Sequence, residues 1–170
     1  MDPTVAALLT AALSFVAFGL LSAWHVVPWL RKQGRAAALV PLLWVHAFRH
    51  VALELFSAQR AGFAIPDDLR DAIAYGDLAG MVLAVVALAA LRAGSRFAVP
   101  LIWVLVVATV LDLVNALIGG IRVGMMGSAH DLPWLIVCFY VPALWITLGL
   151  IVWQLVARRG EPLYASGGQK

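Results

Sequence analysis

Long apolar runs alternate with short polar punctuation along this chain. Five runs emerge, at about 5–29, 37–58, 66–91, 98–120 and 133–157. At 1.5 Å per residue, each is long enough to cross a hydrocarbon core of roughly 30 Å. The connections are LRKQGRAA, SAQRAGFAI, RAGSRF and IRVGMMGSAHDL. Loops this short make consecutive helices antiparallel neighbours. The pattern predicts an all-α, polytopic membrane protein: one domain over 1–170, built as a five-transmembrane-helix bundle, with a short tail at 158–170. No internal repeat or separate soluble domain is visible.

Punctuation supports the division. Pro66 with Asp67 and Asp68 marks a helix start, because acidic side chains favour the first turn. Pro41, Pro100 and Pro133 fall near the beginnings of runs, where a missing N–H costs little. Pro142 falls well inside the fifth run and should free the carbonyl of Cys138. Gly119 and Gly120 read as the end of the fourth helix.

Composition agrees with a bilayer setting. The chain is 64% apolar and 12% charged, with a mean hydropathy of +0.95. Soluble domains are about half apolar and about a quarter charged. The N-terminal run lacks a basic flank and is too long for a signal-peptide core, so it reads as a retained transmembrane helix. No lipidation motif is visible. A single cysteine, Cys138, excludes a disulfide within the chain. It reads as a buried small hydrophobe.

Placement of charge changes the picture more than its sum of +3. Arg31, Lys32 and Arg35 lie in the first loop, Arg92 and Arg96 in the third, and Arg158, Arg159 and Lys170 in the tail. The second and fourth loops mix Arg60, Arg70 and Arg122 with Asp67, Asp68, Asp71 and Asp131. The positive-inside rule then puts the N-terminus outside and the C-terminus in the cytoplasm. This basicity reads as topology and not as nucleic-acid binding. An Ala- and Arg-rich, Lys-poor composition points to a bacterial inner membrane.

The second run raises the chemical question. LLWVHAFRHVALELF carries His46, Arg49, His50 and Glu54. On an α-helical wheel these, with Leu53 and Ser57, span roughly 140°. Trp44, Phe48, Val51 and Leu55 fill the opposite side. A charge facing lipid costs at least about 2.5–3.5 kcal/mol, so the polar stripe must face protein or water.

Partners are available at matching depth. Arg49 lies about 20 Å from the inner boundary, His46 roughly 16 Å, His50 about 22 Å, Asp112 about 24 Å and Tyr140 about 27 Å. Asp77 lies on the order of 9 Å below the outer boundary. Asn115 sits one turn beyond Asp112, and Thr109 one turn before it. Gly76, Gly80 and Ala84 supply a stripe of small residues for close helix approach. All of this converges on the outer half of the bundle. Arg49 is one cation against three carboxyl groups, Glu54, Asp77 and Asp112, so a bound proton or cation is needed to balance them.

Four readings follow. The first is a pocket for a small, partly apolar or lipid-like ligand, formed by His46, Arg49, His50, Glu54, Asp77, Asp112, Asn115 and Tyr140; proton-transfer catalysis such as double-bond isomerisation would be an extension of it. The His50-x-x-x-Glu54 spacing resembles that of membrane sterol isomerases of the emopamil-binding type, a likeness of two residues. The second is proton or ion translocation, continuing inward through Ser14, Ser22 and His25. The third is a metal held by His46, His50 and Asp112. The fourth is an accessory subunit of a larger membrane complex, or a homo-oligomer. The bland alternative is a structural ion pair between Arg49 and Asp112 or Asp77.

Overall fold

The computed structural model describes residues 1–164. Lys170, counted in the tail's charge, lies outside the described residues. The described chain is helical without strands, and five helices are long and apolar enough to span a membrane. They are α1 (Pro3–Lys32), α2 (Arg35–Arg60), α3 (Asp67–Arg92), α4 (Ala98–Arg122) and α6 (Asp131–Ala157). A single turn, α5 (Met125–Ser128), stands between the last two.

Local chemistry explains the ends. The Asp2 carboxylate accepts from the Thr4 and Val5 amides, at 2.9 and 3.2 Å, and Pro3 opens the first turn of α1. Helix α3 follows Pro66 with Asp67 and Asp68 in its first turn. Helix α4 does not stop at Gly119–Gly120. It continues to Arg122, and the chain turns at Gly124, whose φ of +64° suits a residue without Cβ. Gly119 instead lies against Leu69, where a Cβ would collide.

Three helices are irregular. Helix α1 widens into a π segment at Ser22–Val26, two residues before Pro28. Helix α6 does the same at Ile136–Tyr140, two residues before Pro142. A proline lacks the N–H for the preceding carbonyl, and its ring crowds that carbonyl. Adding one residue to the turn relieves the clash without breaking the helix. Pro41 lies in the body of α2 and not at its start. The third irregularity, a 3₁₀ stretch at Phe48–Leu53 within α2, is followed by a further α segment, Glu54–Arg60.

Helix α3 packs most extensively on α4 and α2, whereas α1 leans on α6 and is the least buried. The interior has two apolar regions. One, around Leu39, Leu43, Ile102, Leu105 and Ile151, fills the end bearing the first loop. The smaller one, around Leu55, Phe63, Ile65 and Met125, fills the other end. Arg49, Asp77, Thr109 and Asp112 occupy the level between them.

Candidate functional site

Two of the irregular stretches, the 3₁₀ stretch of α2 and the π segment of α6, meet where the polar groups meet. In α2, residues advance about 100° each along α-helix and about 120° along 3₁₀. The tighter turn places Ala52 beneath Arg49, both buried. It sends His50 and Leu53 to one common direction, and both are exposed. Leu55, expected opposite the polar stripe, turns inward and is buried. The single polar face drawn from an α-helical wheel is therefore split by the change of helix type.

Arg49 is fully buried and uses every guanidinium nitrogen. Nε donates to Asp77 Oδ1 at 2.6 Å, Nη1 donates to Thr109 Oγ1 at 2.8 Å, and Nη2 donates to Asp112 Oδ2. The planar fork thus ties α2 to α3 and α4. The small residues of α3 make the room. A Cβ on Gly80 would lie 2.7 Å from Arg49 Cζ, and one on Gly76 would lie 2.8 Å from Asp112 Cγ. The Gly76–Gly80 stripe is a notch for these two side chains as well as a helix contact.

His46 is also fully buried but faces α6. Its Nε2 lies 3.3 Å from Thr147 Oγ1, and its Nδ1 has no partner among the described residues. The Thr147 hydroxyl lies 2.8 Å from the Ala143 carbonyl, which accepts from it. Tyr140, in the π segment of α6, donates to the Val45 carbonyl at 2.7 Å, next to the α-to-3₁₀ junction of α2.

The structure leaves three expected members outside this constellation. His50 is exposed; its Nδ1 lies 3.2 Å from the Ala47 carbonyl, and its ring neighbours Phe48. Glu54 is half-buried and makes no hydrogen bond or ion pair with the described residues. Asn115 is exposed on α4. The set His46, His50 and Asp112 is not assembled, and no three His, Cys, Asp or Glu side chains converge as metal ligands among the described residues.

A cavity of about 210 Å³ lies beside the arginine. Asp77, Asp112 and Tyr140 reach it, together with the Trp145 ring; Val51, Leu55, Ala116, Ile136 and other apolar groups form most of its wall. The Asp77 and Asp112 side chains are 12% and 15% exposed, while Arg49 is closed off behind them. Met125 and Met126 of α5 lie at its margin. A second cavity, of about 560 Å³, runs between α1, α2 and α6 and is lined by Ser22, His25, Trp29 and Thr147 among apolar groups. Each cavity adjoins one of the π segments.

Sequence reasoning missed a polar clasp at the other end. Arg158 donates to the Leu30 and Gln33 carbonyls and to Gln154, and pairs with Glu161 at 2.5 Å. Buried Arg35 donates to the Leu155 carbonyl at 3.1 Å. The Tyr164 hydroxyl donates to the Leu91 carbonyl at 3.0 Å. Residues 158–164 are thus fastened across the bundle instead of trailing from it. Thr147 was missed as well, since one threonine in an apolar run carries no signal by itself.

No curated protein matches the chain, and no solved structure does. A family model matches residues 6–156, which take in nearly the whole of the five long helices and every residue of the Arg49 constellation. The chain belongs to the family described as Domain of unknown function (DUF8737).

Proposed function

We propose that this is an integral membrane protein that binds a small, partly apolar ligand in the cavity beside Arg49, in the outer half of the bundle. One observation carries the reading: two carboxylates and a phenol open onto an otherwise apolar hollow. A purely structural ion pair would gain by sealing its carboxylates in the protein, since partial exposure to an apolar hollow leaves them poorly solvated. Apolar walls with a few convergent polar groups are what small-molecule sites present. Arg49, itself held by Thr109, holds the carboxylates, Tyr140 borders the hollow, and the Met125–Met126 margin is adaptable. Composition and loop charge support a bacterial inner membrane with the cavity toward the outer side. The test is mass spectrometry of organic extracts from purified protein. A small molecule present with wild type and lost from Ala116→Phe, which fills the cavity, supports the reading. Identical extracts from both proteins would sink it.

Proton movement is the second reading, and the second cavity is what favours it. Thr147, which contacts His46, shares that cavity with Ser22 and His25. A proton leaving His46 would have polar groups to follow toward the end of α1 that carries Arg31 and Lys32. Proteoliposome flux unchanged by His46→Ala would remove this reading.

A further inference from the structure

We propose that the ligand of the Arg49 cavity is a small organic monocation, a protonated amine carried on an apolar body. The proposal rests on the reading of that cavity as a ligand site and narrows the chemistry it accepts.

Hydrogen-bond capacity sets the polarity. Four polar side chains reach the wall: Asp77, Asp112, Tyr140 and Trp145. Arg49 occupies Asp77 Oδ1 and Asp112 Oδ2; the second oxygen of each carboxylate has no hydrogen bond among the described residues, that of Asp112 lying beside Gly76 at the edge of the hollow. Tyr140 has given its only hydrogen to the Val45 carbonyl, so its oxygen can now only accept. The Trp145 indole N–H is the one side-chain donor there without a partner among the described residues. The wall therefore asks its occupant for donors.

Charge points the same way. Arg49 offsets one carboxylate of the Asp77–Asp112 pair, and the ionised trio carries an excess of one negative charge. Arg49 is fully buried behind the two carboxylates and does not line the cavity, so its fork is out of reach of an incoming carboxylate or phosphate. An anionic ligand would add a third negative charge to a hollow of low dielectric. A bound proton or a monocation closes the sum, and of the two an ammonium also brings up to three donors to acceptors that lack them.

Volume sets the size. A dry cavity of about 150 Å³ holds benzene. The hollow here is about 210 Å³. A ring with a two-carbon amine arm, about nine non-hydrogen atoms, fits in proportion.

The probes are phenethylamine, phenethyl alcohol and 3-phenylpropionate, which share a body and differ in the polar end. Binding is measured by equilibrium dialysis on the full chain in lipid nanodiscs. The expected result is phenethylamine bound at least tenfold more tightly than the alcohol, with the carboxylate weakest. Ala116→Phe should weaken the amine at least tenfold. Asp112→Asn should weaken the amine about tenfold and leave the alcohol within threefold. If the alcohol or the carboxylate binds as tightly as the amine and Ala116→Phe removes it, the ligand class is wrong and the cavity reading stands. If none of the three shows binding that Ala116→Phe removes, both fall. Should Asp112→Asn fail to yield folded protein, the ranking of the three probes on wild type decides.

Discussion

Arg49 makes three hydrogen bonds to two neighbouring helices, and its removal has a definite sign. Arg49→Met keeps most of the volume but leaves Asp77 and Asp112 with no counter-charge. Losing one partner of a buried ion network destabilises by about 3–5 kcal/mol. A lowered midpoint of thermal unfolding in detergent would show it. The triple variant Arg49→Met/Asp77→Leu/Asp112→Leu should recover most of the loss, because an apolar replacement of the whole set leaves no unpaired charge. A triple variant no better than the single one would mean that packing and not charge is at stake. Gly80 tests the same site by size. A Cβ there would meet the pinned guanidinium at 2.7 Å from Cζ, so Gly80→Ala should cost about 1–3 kcal/mol. Gly149, also helical, has nothing within 4 Å of its Cβ position, and Gly149→Ala should be neutral or stabilising. Equal midpoint shifts in the two variants would show that helix propensity outweighs the notch.

The elements are defined by their departures from regular α-helix. The hydroxyl of Tyr140 holds the Val45 carbonyl at the start of the 3₁₀ stretch. Tyr140→Phe should cost about 0.5–1.5 kcal/mol and should speed amide exchange at Phe48–Leu53 more than in the α segment before it. Uniform exchange along α2 would detach the hydroxyl from the 3₁₀ geometry. At the opposite end the Arg158 guanidinium, through its hydrogen bonds, holds Glu161 below its ordinary value of 4.5. A carboxylate lowered in the folded state stabilises above its unfolded value, and the contribution fades as pH falls through the folded one. The clasp should therefore hold at pH 7 and loosen below about pH 4.5, seen as faster exchange at residues 158–164 after correction for intrinsic rates. Protection that stays level down to pH 3 would assign the clasp to Arg35 and Tyr164 instead. The five helices were legible in the sequence because apolar runs of this length leave few alternatives. The pairing of Arg49 with Asp77 and Asp112 was legible from charge and depth. The π segments were half legible: Pro142 announced a disturbance, but not the widened turn. The 3₁₀ stretch was not legible, since FRHVAL contains neither proline nor glycine. Reading it as α-helix gave His50 and Glu54 to the site and placed Leu55 outside. The partners that fix its geometry, Tyr140 and the α3–α4 carboxylates, come from residues distant in sequence.

At the scale of the whole molecule, the direction in which the proposed membrane bundle would cross a bilayer decides what the Arg49 cavity can meet. Arg49, Asp77 and Asp112 lie nearer the end that bears the second and fourth loops. With that end outward, as loop charge predicts, a ligand arrives from the outer leaflet or beyond it. With it inward, the source would be cytoplasmic. Ala61 in the second loop and Ala93 in the third are exposed and lie on opposite ends of the bundle. Single cysteines at these positions, made in a Cys138→Ser background, separate the two cases. Neither substitution changes the Lys and Arg count on which orientation depends. A membrane-impermeant maleimide on intact bacterial cells should label Ala61→Cys and spare Ala93→Cys, with both labelled after permeabilisation. The reverse pattern would turn the site toward the cytoplasm and leave its chemistry intact. Labelling of both in intact cells would mean the chain has two orientations, and would show that eight Lys and Arg on one side against three on the other do not suffice to fix one.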